Sequence, residues 1–208
     1  MKAPSAKWRI GRVVTYPVFR WFLGLREFGK ENIPGEGPVI IASNHRSAWD
    51  PPLLGFAAYP REVHFIAKRE LFNPVLGPII RLYNAHPIKR SAGARSALFT
   101  ALDLLKKGYA IVIFPEGTRN RTDKPLLPLR RGIQWIAYNP DIRDDVKVVP
   151  AWIDGKPGNF TVIFGKPISP ADVSEDEFLN LLRDRLLSLR DSFLHSKENK
   201  KEVKRYGT

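Results

Sequence analysis

The 208-residue sequence carries 34 Lys and Arg against 21 Asp and Glu, a formal net charge of +13 at pH 7. Its composition, 43% hydrophobic and 26% charged, is that of a globular chain, long enough for one domain that buries roughly 70% of its unfolded surface. There is no cysteine, which excludes disulfides, thiolate nucleophiles, Cys-based zinc sites and iron–sulfur clusters and suits a reducing compartment; the basic field points to polyanions, whether nucleic acid, anionic lipid headgroups or phosphorylated substrates.

Residues 1–30 hold seven Lys or Arg against the single acid Glu27, so this segment supplies +6 of the +13. Read as a helix over 7–25, it places Ile10, Val13, Val14, Val18, Trp21, Phe22 and Leu25 on one face and Arg9, Arg12 and Arg20 on the other. An apolar, aromatic stripe opposite arginines is how a helix lies in a bilayer interface. The plain alternative is a helix docked on its own domain, and the pattern leaves both open. Pro17 is expected to kink or split it. No run approaches the ~18–20 apolar residues of a membrane span, and charges interrupt every apolar stretch, unlike a signal peptide.

From residue 37 onward, strand-like and helix-like segments alternate. Val39, Ile40, Ile41 and Ala42 follow Pro/Gly punctuation and read as a buried strand, as do 63–67, 110–114, 146–152 and 160–164. Helical patterns lie at 52–59, 93–107 and 132–138. The last helix opens on Ser174 and Glu177 as a capping box, with Phe178, Leu181, Leu182, Leu186, Leu189 and Phe193 as its stripe. The tail after His195 mixes Lys and Glu and is expected to fray. The expected fold is α/β, a mixed, mostly parallel sheet flanked by helices, with an N-terminal amphipathic membrane-associating helical segment. The expected divisions are 1–30 for that segment, 31–195 for the main domain and 196–208 for the tail.

Ligands of such folds gather where strands end, and two polar segments sit there. In the first, the strand runs into Asn44 and His45, with Asp50 five residues on. A carboxylate that accepts one ring N–H fixes the tautomer and stabilises the imidazolium formed when the other nitrogen takes a proton. Five residues set two side chains about 140° apart on one helix, so the pair needs a loop that curls back. Asp50 before Pro51 also reads simply as a helix start. In the second segment, Phe114 and Pro115 lead into Glu116, Gly117, Thr118 and Arg119. Gly117 permits positive φ, Arg119 offers a planar fork for phosphate oxygens with Thr118 as a further donor, and Glu116 is placed to orient Arg119 or accept a substrate hydroxyl. Taken alone, this is equally a turn with a solvated ion pair. Lys68-Arg69 and Lys89-Arg90 follow other strand candidates, and together the basic residues suggest a cationic rim.

These residues resemble the glycerolipid acyltransferases of the 1-acyl-glycerol-3-phosphate acyltransferase type. Four blocks carry the resemblance, in family order: residues 44–51; Lys68, Arg69, Glu70 and Leu71 with Pro74, Gly77, Ile88 and Arg90; residues 114–119; and residues 148–153. The resemblance implies transfer of a fatty acyl group from a coenzyme A or acyl carrier protein thioester to the free hydroxyl of lysophosphatidic acid. It implies His45 as general base, Asp50 as its partner, and Lys68 and Arg119 on the acceptor phosphate. Glu116, Gly117 and Thr118 would shape that site with Arg90, and the fourth block would line an acyl pocket. No cofactor or metal is implied. Expected partners are an anionic membrane surface, a lysophospholipid acceptor and the thioester donor, at the cytoplasmic face of the membrane, peripheral or monotopic. Asn120 stands where the family often has Ser.

Other readings are the same chemistry on another lysophospholipid or lipid acceptor, and a basic nucleic-acid-binding protein, for which no recognisable motif is present. A serine hydrolase would need a Gly-x-Ser-x-Gly elbow, which the sequence lacks.

Overall fold

The alternating pattern folds as a mixed, mostly parallel sheet of seven strands with helices on both faces, described in a computed structural model over residues 4–74, 77–88 and 93–206. Side chains at 68, 78, 79, 82, 93, 94 and 196–206 fall outside that description, and Lys89 and Arg90 lie outside the described residues altogether. The strands are β1 (Arg26–Phe28), β2 (Val39–Ser43), β3 (Val63–Lys68), β4 (Ala85–Ile88), β5 (Ala110–Ile113), β6 (Lys147–Lys156) and β7 (Asn159–Phe164). They lie in the order β1-β7-β6-β2-β5-β3-β4, every neighbouring pair parallel except β6 with β7.

Helices α1 (Ala6–Pro17), α2 (Asp50–Ala57) and α3 (Gly77–Leu82) cover one face; α4 (Gly93–Lys106), α5 (Gly132–Ala137) and α6 (Glu175–Tyr206) cover the other. Central β2 is buried at all five positions because its side chains alternate between the two layers. Val39 and Ile41 pack with Leu53 and Phe56, whereas Ile40 and Ala42 pack with Ile111, Val148 and Phe178. Both β5 and β6 pair with β2: the chain first builds outward through β3 to edge strand β4, then β5 returns to fill the place between β3 and β2, and β6 pairs on the other side of β2. The loops leaving β2 and β5 therefore start side by side and diverge into opposite helix layers. This crevice is where α/β sheets bind ligands.

The first helix docks on its own domain, yet keeps most of its apolar stripe exposed. α1 starts after Ser5, whose side chain accepts from Trp8 N, and at Pro17 it passes into a π-helical turn, Val18–Phe22. Trp8, Phe19 and Leu23 are buried against the domain, with Phe19 stacked on Phe56 at 4.6 Å. The predicted stripe faces outward instead: Ile10, Val13, Val14, Trp21 and Phe22 are all more than 60% exposed. Leu25 departs from that stripe and is buried, because the helical turn ends at Leu23 and Gly24, at φ +59°, turns the chain toward the sheet. The expected arginine face is also partly used internally. Arg12 donates to Phe56 O at 2.7 Å and lies 4.2 Å over its ring, and Arg20 donates to Leu25 O. Among the described residues, no helix is long and apolar enough to cross a membrane.

Four elements depart from the expectation, the first being α3, where no helical pattern is expected. β1 has no apolar alternation and forms because β7 offers it an open edge. α2 begins two residues early, at Asp50. α6 opens beside the Ser174–Glu177 side-chain hydrogen bond and continues to Tyr206, past the boundary expected at His195.

Edge strand β4 tolerates Pro87 because an edge has one unpaired side. Here His64 Nδ1 and His86 Nε2 share a hydrogen bond at 2.9 Å, with Tyr109 4.4 Å from the His64 ring. Burial, then the neighbouring His86, pushes His64 down to about 4, with Lys7 and Arg61 reinforcing and Glu62 opposing. Burial, then Lys7 and Lys107, lowers His86 as well. Below the ordinary imidazole value of 6.5 the unfolded chain thus binds more protons than the folded one. Stability is full above that value and drains as pH falls toward 4. Thermal melts should show Tm several degrees lower at pH 5 than at pH 7.5, and His64→Gln should flatten that dependence; an equally steep pH slope in the variant would assign the acid sensitivity elsewhere.

Candidate functional site

At the end of β2 the chain leaves the sheet through a side chain. Asn44, 1% exposed, donates from Nδ2 to Ile153 O at 2.9 Å and accepts from Ile153 N at 2.8 Å, extending the β2–β6 ladder by one rung. His45 follows with neither main-chain group in a ladder. Its N–H donates to Glu116 Oε1 at 2.7 Å, its carbonyl accepts from Asn120 N at 2.6 Å, and its ring stacks on Phe114 at 4.0 Å. The turn after β5 thus grips the histidine on three sides.

The segment 45–49 is a loop, as the five-residue spacing requires. Trp49 caps α2 without a side-chain bond, and the Asp50 carboxylate turns back instead of capping. Its Oδ2 accepts from His45 Nδ1 at 2.8 Å, Arg46 N at 2.7 Å and Ser47 N at 2.8 Å. Asp50 is 2% exposed; these donors, and the helix N-terminus it occupies, offset the desolvation of a buried carboxylate. An ionised carboxylate only accepts, so the ring proton is assigned to Nδ1 and the lone pair to Nε2. A lone pair on a side chain 16% exposed at a strand end can take a proton from a docked hydroxyl.

Glu116 is 2% exposed, and both its oxygens are occupied by main-chain donors, His45 N and Leu127 N. In place of the expected contacts with Arg119 or a substrate hydroxyl, it braces the two strand-end loops. Gly117 has φ +69°, and a Cβ there would come within 2.5 Å of Arg130 Cδ, so both backbone and space demand glycine. Arg130 Nε donates to Glu116 O, and its own N–H to Pro115 O. Thr118 and Arg119 are exposed on the same turn, Arg119 immediately before the residue that bonds the His45 carbonyl.

Lys68 closes β3, one strand beyond β5. The backbone therefore gathers the ends of β2, β5 and β3 on one rim, and Arg90 lies outside the described residues. Residues 148–153 do not form an open lining. Val149, Ala151 and Ile153 pack in one core layer and Val148 and Trp152 in the other, so the strand serves the site through the Ile153 backbone. Two surface hollows, about 280 Å3 beside Pro38 and Asp141 and about 320 Å3 beside Lys166 and Arg185, have linings that include neither His45 nor Asp50. The first opens at the opposite, amino-terminal end of β2, away from the groups that can do chemistry. Among the described residues, no group of three or more His, Asp or Glu is arranged to hold a metal.

Asn44, Phe114 and Asn120 position His45, a role the sequence assigned to none of them. The available signal was a buried-type strand running directly into polar residues; nothing in the sequence pairs residue 120 with residue 45.

The acyltransferase family profile matches residues 25–154. A Bacillus subtilis 1-acyl-sn-glycerol-3-phosphate acyltransferase is 34% identical over 158 residues, covering 72% of this chain and 76% of that protein. A protein of the same name from Streptococcus pneumoniae is 30% identical over 169 residues, covering 75% and 61%. The crystal structure of the 1-acyl-sn-glycerophosphate (LPA) acyltransferase PlsC from Thermotoga maritima superposes with a TM-score of 0.65 at 26% identity, covering 88% of this chain and 76% of that one.

Glu116→Gln preserves volume but leaves one acceptor oxygen for two N–H groups. Denaturant titration should show a loss of roughly 1–3 kcal/mol, the usual cost of an unsatisfied buried donor. Unchanged stability would mean the brace does not hold the two loops.

Proposed function

The chain belongs to the acyltransferase family and is an acyltransferase, and from that premise we propose that it transfers a fatty acyl group from a thioester to the free hydroxyl of 1-acyl-glycerol-3-phosphate, forming phosphatidic acid. The observation that carries the mechanism is the 2.8 Å contact of His45 Nδ1 with Asp50, which leaves Nε2 as the base. In this reading Nε2 takes the acceptor hydroxyl proton as that oxygen attacks the thioester carbonyl. A C–O bond forms, the C–S bond breaks, and the imidazolium returns its proton to the departing sulfur, so ester and free thiol leave with charge balanced. Asp50 stabilises the imidazolium and keeps the ring in the productive tautomer. The names of the relatives support lysophosphatidic acid as acceptor. Coenzyme A and acyl carrier protein both present the required thioester.

Arg119 and Lys68 are proposed as the acceptor-phosphate contacts, Arg119 for its exposure beside the histidine-bearing loop and Lys68 for its place at the end of β3. The exposed stripe of α1 and the following turn is proposed to rest in an anionic membrane surface at its cytoplasmic face. Its support is the outward apolar row beside a helix that is otherwise well docked.

Product analysis with lysophosphatidic acid and uncharged monoacylglycerol tests the acceptor: transfer should be strongly selective for the phosphorylated lipid, and equal turnover of both would remove the phosphate clamp. His45→Ala should lower kcat by at least roughly 100-fold with an unchanged melting profile, a positioned base being worth about 10²–10⁴. Arg119→Ala should act mainly on acceptor KM. For the membrane contact, Val13→Glu with Trp21→Glu should release the protein from anionic vesicles in flotation; retained binding would refute the role of the stripe, since both side chains point away from the fold.

A further inference from the structure

Two side chains beside His45 have no part in the chemistry above, yet both act on one turn. Asn120, 2% exposed, donates from Nδ2 to Lys124 O at 2.8 Å, and its Oδ1 accepts from Thr122 N at 3.0 Å and Thr122 Oγ1 at 2.8 Å. The residues 120–124 are thus wound around one buried amide. From outside, Arg46 closes the same turn, donating from Nη2 to Thr122 O at 3.0 Å and from Nη1 to Lys124 O at 3.4 Å. Its guanidinium is spent on carbonyls of this chain.

We propose that Asn120 and Arg46 form a latch that positions His45, locking the 120–124 turn so that the general base and the neighbouring Arg119 are held as one unit. The latch rests on the function proposed above and goes beyond it. His45 has lost the sheet ladder, so its carbonyl is fixed by Asn120 N at 2.6 Å and its N–H by Glu116. The first of these bonds is only as well placed as the turn that presents it. Arg46 belongs to the same loop as His45 and is itself anchored by Asp50 Oδ2 through its N–H. The latch therefore closes a ring from Asp50 through Arg46, the turn and Asn120 back to His45. Displacing a base by about 1 Å costs roughly 100-fold in rate, so a loosened turn reads out as lost turnover before it reads out as lost fold. Both residues are positioning residues, since neither is proposed to touch substrate.

Near-isosteric substitutions separate this from a merely structural role. Asn120→Asp keeps the acceptor for Thr122 but sets a carboxylate against the Lys124 carbonyl. Arg46→Lys keeps the charge but loses the planar fork that spans two carbonyls. Each should lower kcat about tenfold or more while the thioester KM stays within about twofold, and the double variant should be little worse than the poorer single one, as expected for one shared device. Hydrogen exchange of the main-chain N–H at position 120 should accelerate in both, and the His45 ring-nitrogen resonances should move away from the Nδ1–H tautomer. Wild-type kcat, or a main-chain N–H at position 120 as protected as in the parent, would overturn the latch. Arg46→Lys, at an exposed position, keeps the test open if Asn120→Asp does not fold. A parent enzyme that acylates no lysophosphatidic acid would remove the proposed acceptor, while amide exchange would still decide whether the latch exists.

Discussion

One oxygen of Asp50 collects three N–H groups, and the site is organised around that convergence. The two main-chain donors curl the 45–49 loop onto the start of α2, and the third aligns the imidazole. A buried carboxylate is costly unless its hydrogen bonds are met, and the loop geometry meets them. Because Asp50 opens α2 and α2 packs under the sheet through Leu53, Leu54 and Phe56, the ring is referenced to the core rather than to a free loop.

The sheet supplies the second requirement, that two unrelated loops meet. β2 and β5 are neighbours, but their loops depart into opposite helix layers. Such divergence leaves main-chain groups without ladder partners, and the site fills those places with side chains: Asn44 against Ile153, Glu116 against His45 and Leu127, Arg130 against Glu116. The polar residues of the motif are thus divided between those spent on holding the loops and those left open to a ligand. Glu116 and Gly117 hold shape, whereas His45, Thr118 and Arg119 are left accessible.

The basic charge divides in a similar way. Arg12, Arg20, Arg46 and Arg61 all donate to main-chain carbonyls, Arg61 to those of Gly35, Gly37 and Gly108 at the far end of the sheet. The carbonyls are neutral, so these guanidiniums keep their charge, but the donors they spend internally are not offered to an anionic partner. Arg119 on its exposed turn and Arg9 on α1 remain on the surface, where such a partner would meet them.

The sequence by itself determined the layered α/β class, five of the seven strands as apolar runs, the large helices from their 3.6-residue stripes, and the two polar segments at strand ends. These follow from local periodicity, which a linear chain displays directly. Tertiary structure alone decided that Asp50 turns to His45 instead of capping its helix, that Glu116 is a brace, that Phe19 docks on the domain while Trp21 stays outside, and that Arg26–Phe28 joins the sheet. The first is a choice between two local partners; the other three depend on partners outside their own segment, Leu127 for Glu116, Phe56 for Phe19 and β7 for β1. A side chain's hydrogen-bonding capacity can be read from its identity, but which donor or acceptor fills it is settled only when packing brings the two together.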